Sequence, residues 1–161
     1  MLSALLVVLL SQAPGSDAKL AAVAAIHGEA GPWAVAGYRM GEFALTKLGL
    51  KAHSHELRVL HRSPKSPQYA CVADGAQAAT GASVGKVNLA FEEAPFEQLQ
   101  TTFTNVRTGA SVTLKPAKVF LERFTNTARE KALENGKAVL ALKDTELFEL
   151  VSETRPSQTG R

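Results

Sequence analysis

The stretch HGEAGPWAVAGYR, residues 27–39, decides the fold, because a glycine- and proline-rich loop passes there into a regular helix. Pro32 lies near the first turn of that helix, where its missing backbone N–H costs no hydrogen bond. Gly37 and Gly41 recur about one helical turn apart, so one face of the helix has room for close approach by another element. The pattern predicts a helix over residues 33–48.

A second stretch, ACVADGAQAATGASVGKVNL at residues 70–89, holds the only cysteine of the chain, Cys71. We expect a short strand over residues 69–72, followed by a helix over residues 75–82 that Asp74 caps at its N-terminus. A cysteine at a strand end ahead of a helix N-terminus can have a lowered pKa, because the thiolate meets exposed N–H groups. The segment TGASVGK lacks the spacing of a phosphate-binding P-loop, which excludes that motif.

Alternation of apolar and polar residues predicts the strands of a sheet. Residues 55–61 and residues 87–91 alternate in this way, and each is typical of a strand with one buried face. Residues 98–106 and 110–114 flank an Arg-Thr-Gly segment, which predicts a hairpin with glycine near its turn.

The C-terminal third of the chain predicts helices. Pro116 is expected to open one helix, and Asp144 is expected to cap a last helix that buries Leu147, Phe148 and Val151. The order of helix and loop, then strands, then helices predicts an α+β fold. We expect a single compact domain with a mostly antiparallel sheet packed against helices.

The composition is that of a globular protein, and it excludes several functional classes. The 161 residues fit one domain, with 45% apolar and 20% charged residues. The net charge of +3 is small and its basic residues are scattered, so no nucleic-acid footprint is indicated. One cysteine excludes an intramolecular disulfide and a zinc finger built on four cysteines.

The N-terminus has the features of an export signal, which predicts a periplasmic or secreted protein. An apolar run over residues 2–10 is too short to span a bilayer, which takes about 20 residues, so no stable membrane insertion is expected beyond it. Ser16 and Ala18 fit the small-residue rule for signal cleavage after Ala18. The alternative is a buried first strand in a cytoplasmic protein. The predicted organisation is a signal peptide at residues 1–18, a core domain at residues 19–152 and a polar tail at residues 153–161.

Four side chains of the two stretches are candidates for chemistry. His27 is of the type most often used as a general base or metal ligand, and Glu29 is placed to share a metal with it or to orient its ring. Cys71 is a candidate nucleophile, with His27 as base and Asp74 or Glu29 as orienting carboxylate. The structural alternatives are a loop histidine that bonds to the backbone and a cysteine that is a small buried hydrophobe.

Taken in order, the two stretches resemble the FmdE family of formylmethanofuran dehydrogenase proteins, whose members read HGHxCPG…GYR…AL and then C…DAIQ…TGCTxGKGNL. The resemblance covers roughly residues 20–150, because FTNVRTGASVTLKP and DTELFELV are also similar to that family's later segments. It implies an α+β core domain that forms a homodimer. It also implies a polar site for a small molecule or a transition metal such as zinc.

The resemblance assigns site residues position by position. His27 and Cys71 match the family's first histidine and the cysteine that opens the second segment. The residues predicted from the matching motifs to bind a ligand are Arg39, Gln77, Thr80, Lys86 and Asn88.

The departures from the family pattern concern metal ligands. The family's second histidine is Glu29 here, and its two further cysteines are Gly31 and Ala82. Only His27, Glu29 and Cys71 remain as metal ligands, and the loss of two thiolates weakens a site for soft metals. The zinc ligand set is therefore incomplete. The sequence predicts a small-ligand-binding or accessory protein with a degenerate site; the alternatives are an enzyme that uses Cys71 and a weak metal site.

Overall fold

The computed structural model describes residues 15–155, so most of the predicted signal peptide and polar tail lies outside the described residues. This part of the chain forms one α+β domain, as predicted. Its helices are α1 (Ser16–His27), α2 (Pro32–Leu48), α3 (Pro67–Thr80), α4 (Lys118–Phe124), α5 (Ala132–Leu140) and α6 (Asp144–Leu147). Its strands are β1 (Leu57–Ser63), β2 (Leu89–Glu93), β3 (Gln100–Asn105), β4 (Ser111–Pro116) and β5 (Phe148–Thr154).

The five strands form one mostly antiparallel sheet in the order β2-β1-β3-β4-β5. Only the β1–β2 pair is parallel, because α3 carries the chain from the end of β1 back to the start of β2. The predicted hairpin is confirmed as β3 and β4. Val59, Phe103 and Val112 lie opposite one another across three strands and are buried, so this row forms the sheet side of the core.

Helices α2 and α3 pack against each other at backbone distance. A Cβ atom at Gly37 would overlap the carbonyl group of Val72, and one at Gly75 would overlap that of Ala34. Further along α2, Gly41 faces Ala79 near the end of α3. The two helices are therefore parallel and begin at the same end of the domain. The expected close approach along the glycine face of α2 is confirmed, and α3 is the partner.

The predicted strand over residues 69–72 is wrong, because α3 is continuous from Pro67 to Thr80. Asp74 lies in the middle of this helix and does not cap it. Ser66 is extended and Pro67 occupies the first helical position, so the helix begins well before the expected residue 75. Short apolar runs do not distinguish strand from helix, and here packing against α2 decides in favour of helix.

The predicted last helix is also wrong beyond its first turn. Helix α6 ends at Leu147, and the chain continues as β5, which pairs with β4 at the edge of the sheet. Phe148 is buried as the first strand residue, whereas Val151 is about half exposed. Pro116 ends β4 and does not open a helix, since α4 begins at Lys118.

Two strand boundaries also differ from the prediction. β1 begins at Leu57, two residues later than expected, and β2 begins at Leu89 because Val87 adopts a left-handed backbone conformation with φ 55°. Among residues 15–155, no helix is both long and apolar enough to cross a bilayer.

Candidate functional site

A cleft of about 800 Å³ opens where α2 and α3 begin. The loop between α1 and α2 forms one wall, the first turn of α3 forms another, and the segment leading into α5 forms the third. We call it the His27 cleft. The lining side chains with polar, aromatic or thiol groups are His27, Glu29, Trp33, Gln68, Cys71 and Arg129.

Glycine residues bring the three walls together. Gly28 ends α1 in a left-handed conformation with φ 89°, and its N–H donates to the Ala24 carbonyl at 2.8 Å. This turn redirects the chain into the loop that enters α2. Gly136 of α5 lies so close to the Ala30 carbonyl that a Cβ atom would overlap it. The close contact holds α5 against the loop.

His27 and Asp74 form a pair beside the cleft, although 47 residues separate them in sequence. The Nδ1 atom of His27 lies 2.8 Å from Oδ2 of Asp74, and both side chains are partly exposed. Because an ionised carboxylate only accepts hydrogen bonds, the imidazole donates from Nδ1. In the neutral ring this leaves Nε2 as an acceptor. The pairing of His27 with Asp74 that the sequence suggested is therefore present.

Cys71 is buried in the wall of the cleft, and its thiol donates to the carbonyl of Gln68 at 3.2 Å. Burial raises its pKa to about 12, and the Asp74 carboxylate adds to this rise. Backbone amides of Cys71 and Ala34 act in the opposite direction but are outweighed. The prediction of a lowered pKa is therefore wrong: Cys71 lies inside a helix, and the cost of burying a thiolate exceeds the stabilisation that helix amides provide.

The three predicted metal ligands do not combine into a metal centre. His27, Glu29 and Cys71 all line the cleft. However, the part of the chain that the structure describes contains no group of three or more His, Cys, Asp or Glu side chains arranged to hold a metal ion. The Cys71 thiol is buried and donates to the Gln68 carbonyl, and because Nδ1 of His27 faces Asp74, only Nε2 of that ring is left for a ligand. These residues do not fit a zinc ion.

Arg39, predicted to bind a ligand, instead holds the end of α5. One of its terminal nitrogens donates to the carbonyl groups of Val139, Leu140 and Leu142 at 3.0–3.2 Å. The other donates to Asp144. Since the last carbonyls of a helix have no i+4 partner within the helix, Arg39 supplies a charged donor at the end of α5 and in the turn that follows it.

Thr80 and Gln77 lie in the second half of α3, away from the cleft lining. Thr80 is buried, and its hydroxyl donates to the Ala76 carbonyl at 2.7 Å and accepts from the Ala82 N–H at 3.1 Å. The Gln77 carbonyl accepts from the Gly81 N–H and closes the helix. The observed contacts of both residues belong to the end of α3.

Lys86 and Asn88 build the loop that connects α3 to β2. The ammonium group of Lys86 donates to the Gly81 carbonyl at 2.7 Å. The side-chain carbonyl of Asn88 accepts from the Ser83 N–H at 2.9 Å. The five predicted ligand-binding residues are thus not brought together in one site, and none of them lines the His27 cleft.

Two polar side chains of the cleft, those of Gln68 and Arg129, were not predicted from the sequence. The Gln68 amide donates to the Thr125 carbonyl at 2.7 Å, which ties α3 to the segment after α4. Arg129 is exposed and forms no ion pair within the described chain. Neither residue belongs to a recognisable motif. Arg129 reaches the cleft only because of the packing of α5, so no local sequence pattern predicts its position.

The described chain is thus an α+β domain with a polar cleft at the shared start of two parallel helices. The family model FmdE, described as molybdenum formylmethanofuran dehydrogenase operon, matches residues 26–149. This match spans most of the chain and includes both stretches from which the resemblance was drawn. The chain belongs to the FmdE family. No curated protein matches it.

Proposed function

We propose that this protein is a binding or accessory protein that holds a small anionic molecule in the His27 cleft. Its membership of a family named for the formylmethanofuran dehydrogenase operon supports an accessory role. One observation carries the choice of ligand: the starts of α2 and α3 open side by side on the same cleft.

Helix starts favour anions for a physical reason. The first N–H groups of a helix have no partner within it, and the aligned peptide dipoles place partial positive charge there. Neither α2 nor α3 has a side-chain cap, because Gly31 has no side chain and Ser66 makes no capping hydrogen bond. Two parallel helices therefore direct partial positive charge at one cleft.

The ionisable side chains of the cleft support a ligand with few charges. Arg129 contributes one guanidinium without a described carboxylate partner, and Glu29 contributes one carboxylate. His27 adds a polar ring whose orientation Asp74 maintains. A small monocarboxylate fits this balance better than a multiply charged ligand does.

Binding is tested with the full chain by following the fluorescence of Trp33, the only tryptophan, while acetate or inorganic phosphate is added. We expect saturable binding of acetate that Arg129→Gln weakens about tenfold, because a charge-assisted hydrogen bond is lost. Arg123→Gln on α4 is the matched control and should leave affinity unchanged. The proposal is wrong if neither anion saturates the signal, or if both variants bind like the parent.

A second candidate function is acid–base catalysis by His27, and the 2.8 Å contact with Asp74 favours it. The Asp74 carboxylate fixes the orientation of the imidazole ring, so Nε2 is directed away from this carboxylate and can accept a proton. Hydrolysis of an activated acyl ester tests this function. His27→Gln and Asp74→Asn should abolish the rate, while Cys71→Ala should retain it. A rate equal to that of buffer excludes this candidate.

A further inference from the structure

A second concave surface lies on the face of the sheet opposite the helices. It is a groove of about 330 Å³, and all its lining residues come from β1, β2, β3 or the loop before β2. We call it the outer groove. The side chains that define its shape and charge are Arg58, Leu60, Val87, Ala90, Thr102 and Thr104.

The register of the strands places these side chains in two rows. Leu60 of β1 lies between Ala90 of β2 and Thr102 of β3. Arg58, two residues earlier on the same face, lies opposite Thr104. Since residues two apart on a strand are roughly 7 Å apart, the groove has an apolar section at Leu60 and a polar section at Arg58.

Arg58 gives the polar section an uncompensated positive charge. It is exposed and forms no ion pair within residues 15–155, whereas Arg62 on the same strand pairs with Glu92 at 3.0 Å. The Thr104 hydroxyl beside Arg58 has no described hydrogen-bond partner and can donate to a bound anion. A guanidinium and a hydroxyl together are suited to a carboxylate group.

Val87 forms the edge of the groove in an unfavourable backbone conformation. Its φ of 55° is disfavoured for a β-branched residue, and its side chain is 79% exposed. The conformation is maintained by a hydrogen bond from the Val87 N–H to the Val84 carbonyl at 2.9 Å and by one from the Val59 N–H to the Asn88 carbonyl at 2.8 Å. Such outliers cluster at functional sites, and this one holds an apolar side chain at the groove.

We infer that the outer groove binds a small aliphatic monocarboxylate. The carboxylate contacts Arg58 and Thr104 at the end of the groove that Val87 borders, and the hydrocarbon chain lies along Leu60 and Ala90. The volume is at the lower end of the range for small-molecule sites. This site is separate from the His27 cleft and does not depend on the function proposed for that cleft.

The test is a titration of the full chain with octanoate, in which the NMR signals of the backbone amides are monitored. We expect saturable shifts at Arg58, Leu60 and Thr104, and affinity for octanamide about tenfold lower because the charge is lost. Arg58→Gln should weaken octanoate binding about tenfold or more, whereas Arg123→Gln should not.

Two variants separate this proposal from folding effects and from the His27 cleft. Val87→Gly relieves the backbone conformation, so it should fold normally yet bind octanoate several-fold more weakly because it loses an apolar contact. Arg129→Gln should weaken any octanoate-induced shifts at Gly28 and Gln68 of the His27 cleft, while the titration curves of the groove amides stay the same. The inference is overturned if the groove amides do not shift, if Arg58→Gln binds like the parent, or if those amides shift with protein concentration alone, which would identify the face as an interface between copies.

Discussion

At the level of single residues, Cys71 and His61 are buried groups whose protonation is changed by their surroundings. Burial raises the pKa of Cys71 and lowers that of His61, because in both cases the neutral form is the one that tolerates removal from water. The two shifts have different consequences, one for reactivity and one for stability.

Cys71 is predicted to be an unreactive thiol. With a pKa of about 12, the thiolate at pH 7 amounts to roughly one molecule in a hundred thousand. Alkylation of the native protein by iodoacetamide, followed by mass spectrometry, should be at least about tenfold slower than that of a model thiol. The urea-unfolded protein, as the control, should react fully. Labelling of the native chain as fast as the model thiol would restore Cys71 as a candidate nucleophile.

His61 links β1 to α3 as a neutral ring. Its Nδ1 lies 2.9 Å from the Thr101 hydroxyl and its Nε2 lies 3.1 Å from the Tyr69 carbonyl. A carbonyl only accepts, so Nε2 carries the proton and Nδ1 accepts from Thr101. Full burial lowers the pKa from 6.5 to about 4.

This shift predicts loss of stability in acid. Because the pKa of His61 is lower in the folded state, the unfolded state binds a proton more readily. The contribution of His61 to the free energy of unfolding is therefore complete above pH 6.5 and is lost as the pH falls towards 4. The loss should approach about 3 kcal/mol of the free energy of unfolding. Urea unfolding between pH 4 and 7 measures it. His61→Gln should be less stable at pH 7 but should show a shallower pH dependence, and an unchanged slope would contradict this account.

At the level of elements, the two central helices and the end of α5 depend on few contacts. Arg39 on α2 holds the last carbonyls of α5 and Asp144 at the start of α6. Glycines let α2 and α3 meet at their backbones. For each of these features, one substitution should weaken the packing between elements while leaving the elements themselves formed.

Arg39→Gln should destabilise the domain by about 2–4 kcal/mol, because several buried carbonyls lose a charged donor. Arg39 is largely buried, at 15% side-chain exposure. Arg123→Gln on the exposed side of α4 removes one surface cation–π contact with Phe124 and should change the free energy of unfolding by about 1 kcal/mol or less. Chemical denaturation of the two variants side by side measures the difference, and equal stabilities would show that Arg39 does not hold α5.

Gly75→Ala should cost more than about 3 kcal/mol, because the new methyl group would overlap the Ala34 carbonyl and the helices would have to separate. Gly85→Ala is the control, since a Cβ atom there meets no atom within 4 Å. Thermal unfolding monitored by circular dichroism compares the two. A tolerated Gly75→Ala would mean that α2 and α3 can move apart without penalty.

At the level of the whole molecule, the family fold is present, and residues 15–155 do not bring together the ligands that a metal needs. After incubation with zinc and dialysis, we expect the native chain to retain well under one equivalent, because a lasting site takes three or four protein ligands. Elemental analysis measures this content, with protein unfolded before dialysis as the control. Stoichiometric zinc in the native chain, lost in Cys71→Ala, would contradict the expectation. The homodimer and the export signal stay predictions, from the resemblance and from the apolar N-terminus respectively.

Much of the fold could be predicted from local sequence. The helix after Pro32, the hairpin of β3 and β4 and the α+β class are confirmed because each depends on local periodicity, a proline or a turn glycine. Both stretches also led to the correct family. Of the site, the sequence pointed to His27, Asp74 and Cys71 as candidates; His27 contacts Asp74, and His27 and Cys71 line the same cleft.

Tertiary structure decided the rest. Residues 148–154 form a strand and not a helix because β4 offers an open edge for pairing. Arg39 points to α5, and Arg129 reaches the cleft, through contacts between elements far apart in the chain. The pKa of Cys71 rises because α2 and α3 meet closely enough to exclude water. The sequence alone determined the contacts between residues that are neighbours along the chain. Burial, charge compensation and the two candidate binding surfaces exist only in the packed domain, because they depend on the distances between elements.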